Sequence, residues 1–133
     1  MTQLNHRVAL VTGSTSGIGL AMARRLAQAG AEIVMNGFGD PAAIDRLREE
    51  IAESAKTPVH FIPADLAKGA EAQALVKQTI AICGRIDILV NNAGIQHVAA
   101  IPDFPDDRWD AVIAINLSSA FHTSKIALAD MQQ

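Results

Sequence analysis

Three glycines in Thr12-Gly13-Ser14-Thr15-Ser16-Gly17-Ile18-Gly19 have the spacing for a chemistry that needs no side chain. One residue without Cβ can turn sharply at positive φ, another lets main chain approach a phosphate, and a third lets helix and strand pack closely. The unpaired N–H groups of a helix's first turn, at the positive end of its dipole, then face the anion. Such a stretch reads as a nucleotide phosphate site only between a strand and a helix. Val8-Ala9-Leu10-Val11 supplies the strand, a continuous apolar run suited to burial on both faces. Ile18, Met22, Leu26 and Ala29 recur three or four residues apart and predict the helix, with Arg24, Arg25 and Gln28 on its wet face. A tight structural turn is the other reading of the glycines, and the flanking elements weigh against it.

The remaining chemistry is sparser. Asn91-Asn92-Ala93-Gly94 follows the apolar run Ile86-Asp87-Ile88-Leu89-Val90. Gly94 leaves room for a ligand, while Asn92 and Ala93 offer main-chain groups; Asn91 reads as a tie between strands. Asn116, an amide between Ile115 and Leu117 in an apolar helix, needs hydrogen-bond partners. His60, His97 and His122 have no partner at metal-ligand spacing, so no metal site is expected.

The elements that position these residues alternate. Gly30 stops the first helix, and Glu32-Ile33-Val34-Met35 is a second strand. Asp40-Pro41 is an N-cap with proline in the first helical position, opening a helix whose apolar face is Ile44, Leu47 and Ile51. Residues 58–63 form a third strand with prolines at its ends, as an edge strand tolerates. Ala64-Asp65-Leu66 follows at the carboxyl end, where open α/β sheets place ligands. A helix from about Ala70 to Cys83 carries Leu75, Val76 and Ile80 and stops at Gly84; the fourth strand covers 86–90. From Asp106 the chain is helical, with Trp109, Val112, Ile113 and Leu117 on its apolar side. The alternation predicts an α/β fold, a doubly wound parallel sheet.

Composition narrows the function. A chain of 133 residues, 50% hydrophobic and 19% charged, suits one globular domain. A net charge of −3 without a basic cluster argues against nucleic acid or an anionic membrane as main partner. One cysteine, Cys83, rules out a disulfide within the chain. Polar Thr2, Gln3, Asn5 and His6 replace any apolar signal core, and no apolar run approaches membrane-spanning length. The expectation is a cytoplasmic protein.

TGxxxGIG at Thr12–Gly19 with Asn91-Asn92-Ala93-Gly94 resembles the short-chain dehydrogenase/reductase family, over residues 7 to about 123. Asn36-Gly37-Phe38-Gly39-Asp40 and Asn92 through His97 are most similar to its bacterial branch acting on D-3-hydroxybutyrate. The resemblance implies a Rossmann-type sheet of strand order 3-2-1-4. It implies dinucleotide binding at Gly13, Thr15, Gly17, Ile18, Gly19, Phe38, Asp65, Leu66, Asn92, Ala93 and Gly94. Asp65 would accept from the adenine amine, though it also reads as a helix N-cap, and Phe38 would pack on the adenosine, though it also reads as a loop aromatic. Gln96 would bind the substrate carboxylate, or be a surface residue; Asn116 is the family's catalytic asparagine.

A 2′-phosphate calls for a nearby base, and none stands at Ser14 or in residues 36–40, so NAD is favoured over NADP. The implied reaction moves a hydride between NAD and a small hydroxy or keto acid, 3-hydroxybutyrate and acetoacetate, in a homotetramer. The family's proton donor is a tyrosine in a Tyr-x-x-x-Lys motif, and this chain has no tyrosine. Residues 1–133 are therefore expected to be a cofactor-binding domain, truncated at the carboxyl end and inactive alone. A 3-oxoacyl reductase using NADP and a non-catalytic nucleotide-binding module are the alternatives.

Overall fold

In the computed structural model, which describes residues 3–133, the apolar runs and amphipathic stretches alternate as strands and helices. They are β1 (Val8–Val11), α1 (Gly17–Gln28), β2 (Glu32–Met35), α2 (Pro41–Ala55), β3 (Val59–Phe61), α3 (Gly69–Cys83) and β4 (Ile88–Val90). A 3₁₀ turn at Ile101–Asp103 leads to α4 (Asp106–Ile113), which a π-helical turn, Ala114–Ser118, joins to α5 (Ser119–Met131). The strands pair in parallel in the order 3-2-1-4.

Strand side chains alternate between two cores. Ala9, Val11, Ile33 and Met35 meet Ala23, Ala27 and Ile51 on one face. Leu10 and Val34 meet Ala72, Leu75, Val76 and Ala127 on the other. Helices thus cover both faces of β1, which explains why its sequence is continuously apolar rather than alternating.

Strands β3 and β4 are shorter than 58–63 and 86–90. Pro58 and Pro63 have no N–H to give a ladder, though the Ile62 amide still donates to the Met35 carbonyl at 3.0 Å. Asp87 leaves β4 to act as a clamp: its carboxylate accepts from the Val8 amide at 2.8 Å and from Arg85 and Arg7. Burial pushes that carboxyl up, but the bonds from Arg85, Val8 and Arg7 outweigh it and hold it below its ordinary value.

Helix α1 buries Gly19, Ala23 and Ala27, one residue on from the expected Ile18, Met22 and Leu26. Ile18 is 75% exposed. The period is unchanged but the helix is rotated by about 100°, because small side chains at the contact let it lie close to the sheet while larger ones flank it. Asp40 caps α2 as expected, accepting from the Ala43 amide at 3.0 Å, with Pro41 next to it.

The last helix departs further. Trp109 and Leu117 are 56% and 65% exposed, and the face that α5 buries is Ser119, Thr123 and Ala127. The unbroken helical stretch Asp106–Met131 is, by length and composition alone, long and apolar enough to cross a membrane, contrary to expectation. Its buried face packs on α3, where His122 lies over Gly69 and bonds Gln73.

Candidate functional site

The β1–α1 turn is shaped by main chain. Gly13 and Gly17 have φ of +62° and +58°, where a Cβ is strained. A Cβ on Gly13 would lie 2.9 Å from Ala93 Cα, and one on Gly19 would overlap the Gly13 carbonyl oxygen and the Asn92 amide. Around Gly17, by contrast, a Cβ would meet nothing within 4 Å. Ser16 is the N-cap of α1 but makes no side-chain capping bond, and the first turn contains no acidic residue. The N–H groups of Gly17, Ile18 and Gly19 therefore start the helix without a side-chain cap, as an anion site requires.

Buried polar side chains lock this turn to the neighbouring strand ends. Thr12 Oγ1 accepts from the amides of Asn92 and Ala93, both at 3.0 Å. Asn92 Nδ2 donates back to the Thr12 and Gly13 carbonyls at 3.1 and 3.0 Å. On the other side, Asn36 Nδ2 donates to the Ile62 carbonyl at 3.1 Å, while the Asn36 amide donates to Ser14 Oγ at 3.1 Å. Thr12, Ser14 and Asn36 are at most 2% exposed. Sequence reasoning gave these three no role, although a polar residue ending each apolar run, after Val11 and after Met35, was a usable signal.

A cleft of about 400 Å³ opens over these strand ends. Of the residues expected to bind a dinucleotide, Gly13, Thr15, Ile18, Phe38, Leu66, Asn92, Ala93 and Gly94 line it, and Ser16, Asn36, Gly37, Ala64, Ile95 and Ile115 complete the wall. Thr15 shapes the rim, donating to the Phe38 carbonyl at 2.9 Å. Phe38 is 74% exposed. The amides of Asn92 and Ala93 are taken by Thr12, so those residues present other groups to a ligand.

Five expected residues lie outside the lining, Asn116 among them. Gly17 and Gly19 belong to the turn itself. Asp65 accepts from the Ala67 amide at 3.0 Å, capping the bend before α3, whose N-cap is Lys68. Gln96 is exposed. Asn91 ties β4 to α5 rather than to another strand, accepting from Thr123 Oγ1 at 2.6 Å.

Asn116 sits in the π-helical turn, where one inserted residue widens the helix. Its Oδ1 accepts from the Ile95 amide and its Nδ2 donates to the Ile95 carbonyl, both at 2.8 Å. The side chain thus acts as a strand for one residue and pins the Gly94–Ile95 segment at the cleft. One donor and one acceptor site of its side-chain amide are taken up there.

The cleft lining contains no lysine or arginine. Arg48 lies beyond Phe38 in a second cleft that shares Gly37 and Phe38, and its guanidinium donates to Asp45 Oδ1 at 2.8 Å and to the Val59 carbonyl at 3.2 Å. His97 stacks edge-on against Phe104 at 5.2 Å.

Comparison with known proteins agrees with this geometry. A family model described as short chain dehydrogenase matches residues 7–133. A D-beta-hydroxybutyrate dehydrogenase of Cupriavidus necator is 55% identical over 131 residues, 98% of this chain and 50% of that protein. Another D-beta-hydroxybutyrate dehydrogenase, from Rhizobium meliloti, is 49% identical over 96% of this chain and 49% of its own length. Among solved structures, a blue fluorescent protein from a metagenomic library in complex with NADPH superposes with a TM-score of 0.89 and 34% identity, covering 97% of this chain and 53% of that one. The chain spans about half the length of the curated relatives it matches.

Proposed function

The chain belongs to the short-chain dehydrogenase family, and from that premise we propose that residues 1–133 are the NAD-binding half of a dehydrogenase interconverting 3-hydroxybutyrate and acetoacetate. The observation that carries this reading is the uncapped start of α1, with glycines where a Cβ would strike Ala93 or Gly13, beside an open cleft. In this reading the Gly17, Ile18 and Gly19 amides hold the diphosphate. Phe38 packs on the adenosine, Leu66 offers it main-chain contacts, and Asp65 turns its remaining carboxylate oxygen to the adenine amine. Thr15 holds the rim at Phe38, and Gly94 leaves the nicotinamide end room to approach.

Bound NAD would supply the hydride acceptor. Asn116 is a positioning residue through its side chain, keeping Gly94 and Ile95 in place. Gln96, exposed beside the cleft, would donate its amide to the substrate carboxylate. No tyrosine is available to take the substrate's hydroxyl proton, so turnover requires residues that this chain does not contain. The exposed apolar residues Trp109, Leu117 and Phe121 would be covered by other copies in a homotetramer. A soluble coenzyme and a small hydroxy acid suit a cytoplasmic site of action.

NAD is preferred over NADP because no base lines the cleft and Arg48, behind Phe38, is held by Asp45 and the Val59 carbonyl. Calorimetric titration with both coenzymes tests this. NAD is expected to bind at least about tenfold more tightly, a difference of about 1.4 kcal/mol. Tighter NADP binding would mean that Arg48 leaves Asp45 for the 2′-phosphate, and would favour a 3-oxoacyl reductase. The same sample given D-3-hydroxybutyrate and NAD is expected to produce no NADH.

A further inference from the structure

Glu32 begins β2, His60 is the middle residue of β3, and Cys83 ends α3. Nothing in their linear spacing suggests a site. Val34 pairs in register with His60, and Glu32 lies two residues before Val34, on the same face of the sheet. That face is covered by α3, and Cys83 packs against the core that contains Val34. Folding thus brings a carboxylate oxygen, a ring nitrogen and a thiol sulfur within 4.8 Å of one another, on three half-buried side chains. His60 Nε2 is 2.7 Å from Glu32 Oε1.

Imidazole, thiolate and carboxylate are the donors that tetrahedral Zn²⁺ takes, at about 2.0 to 2.3 Å each. Donor atoms around such an ion stand roughly 3.3 Å apart or more, so the His60–Glu32 pair would open by about 0.6 Å, a small side-chain adjustment. We propose that Glu32, His60 and Cys83 bind one Zn²⁺, with the fourth position open to water. Calcium and magnesium, which take oxygen ligands, do not suit a thiol.

A reactive cysteine is the competing reading, and the surroundings oppose it. Burial first, then the Glu32 carboxylate beside it, push the Cys83 thiol up to about 12, so no useful fraction is thiolate at neutral pH. Metal binding releases that proton to solvent and leaves the sulfur as a metal-bound thiolate. None of the three residues lines the cleft over the strand ends. The ion staples β2, β3 and α3 together without entering that cleft, and the site stands independently of the dinucleotide reading.

Cobalt(II) titration of the purified full chain tests the site, because Cys83 is the sole cysteine and any thiolate-to-cobalt absorption must come from it. The expected result is a band saturating at one Co²⁺ per chain and erased when Zn²⁺ is added. Cys83→Ser is expected to abolish the band; His60→Gln and Glu32→Gln are each expected to weaken Co²⁺ binding at least about tenfold, with circular dichroism reporting the fold. His97→Gln serves as a control and leaves the band unchanged. The absence of a band in the unmodified chain at one equivalent would overturn the proposal without any variant being needed. So would a band of undiminished affinity in folded His60→Gln and Glu32→Gln chains.

Discussion

Replacing Gly19 with alanine is expected to destabilise the protein by about 3 kcal/mol, the upper part of the range for forcing atoms into a packed contact. The added Cβ would overlap the Gly13 carbonyl oxygen and the Asn92 side-chain amide, two groups already bonded to each other. Neither can retreat cheaply, since Gly13 is fixed against Ala93 and Asn92 against Thr12. Helix propensity alone favours alanine over glycine by about 1 kcal/mol, so the sign of the effect separates the two influences. Gly17→Ala is the control: its Cβ meets nothing within 4 Å, and its positive φ costs about 1 kcal/mol. Urea unfolding midpoints at constant m-value measure both. A Gly19→Ala chain as stable as the unmodified one would mean that α1 does not lie so close to the turn.

The second large effect is expected at Thr12. Valine has nearly the same shape, but it removes the oxygen that accepts from both the Asn92 and Ala93 amides, at a position 2% exposed. Two partly buried N–H groups would lose their acceptor, at a cost of about 2 to 4 kcal/mol. Thr12→Ser keeps the hydroxyl and is expected to lose about 1 kcal/mol or less, chiefly the buried methyl. Chemical unfolding of the pair isolates the oxygen from the packing. Equal losses would show that the methyl rather than the hydrogen bonds holds the β4 end against the turn.

The strands and the turn were legible because each rests on a local rule, whereas the strand order followed from the family resemblance. A continuously apolar run such as Val8–Val11 must be covered on both faces, and glycines at 13, 17 and 19 between a strand and a helix leave few other purposes. The facing of α1 was legible only to within one residue, since Ile18-Met22-Leu26 and Gly19-Ala23-Ala27 have the same period. Hydrophobicity favours the larger set, and the close approach to the sheet selects the smaller. Trp109 and Leu117 misled in the same way: they are apolar at helical spacing, but the part of the helix that meets α3 is Ser119, Thr123 and Ala127. Thr12, Ser14 and Asn36 escaped because their partners come from other strands. The cluster of Glu32, His60 and Cys83 exists only once β2, β3 and α3 are assembled.

The central claim is that main-chain amides at the start of α1 hold the diphosphate of a dinucleotide, and amide NMR shifts test it most directly. With NAD, the Gly17, Ile18 and Gly19 signals are expected to move most. With adenosine, which lacks the diphosphate, those three are expected to stay still while the surroundings of Phe38 and Leu66 respond. Saturating NAD that leaves the three glycine-turn amides unmoved would contradict the account.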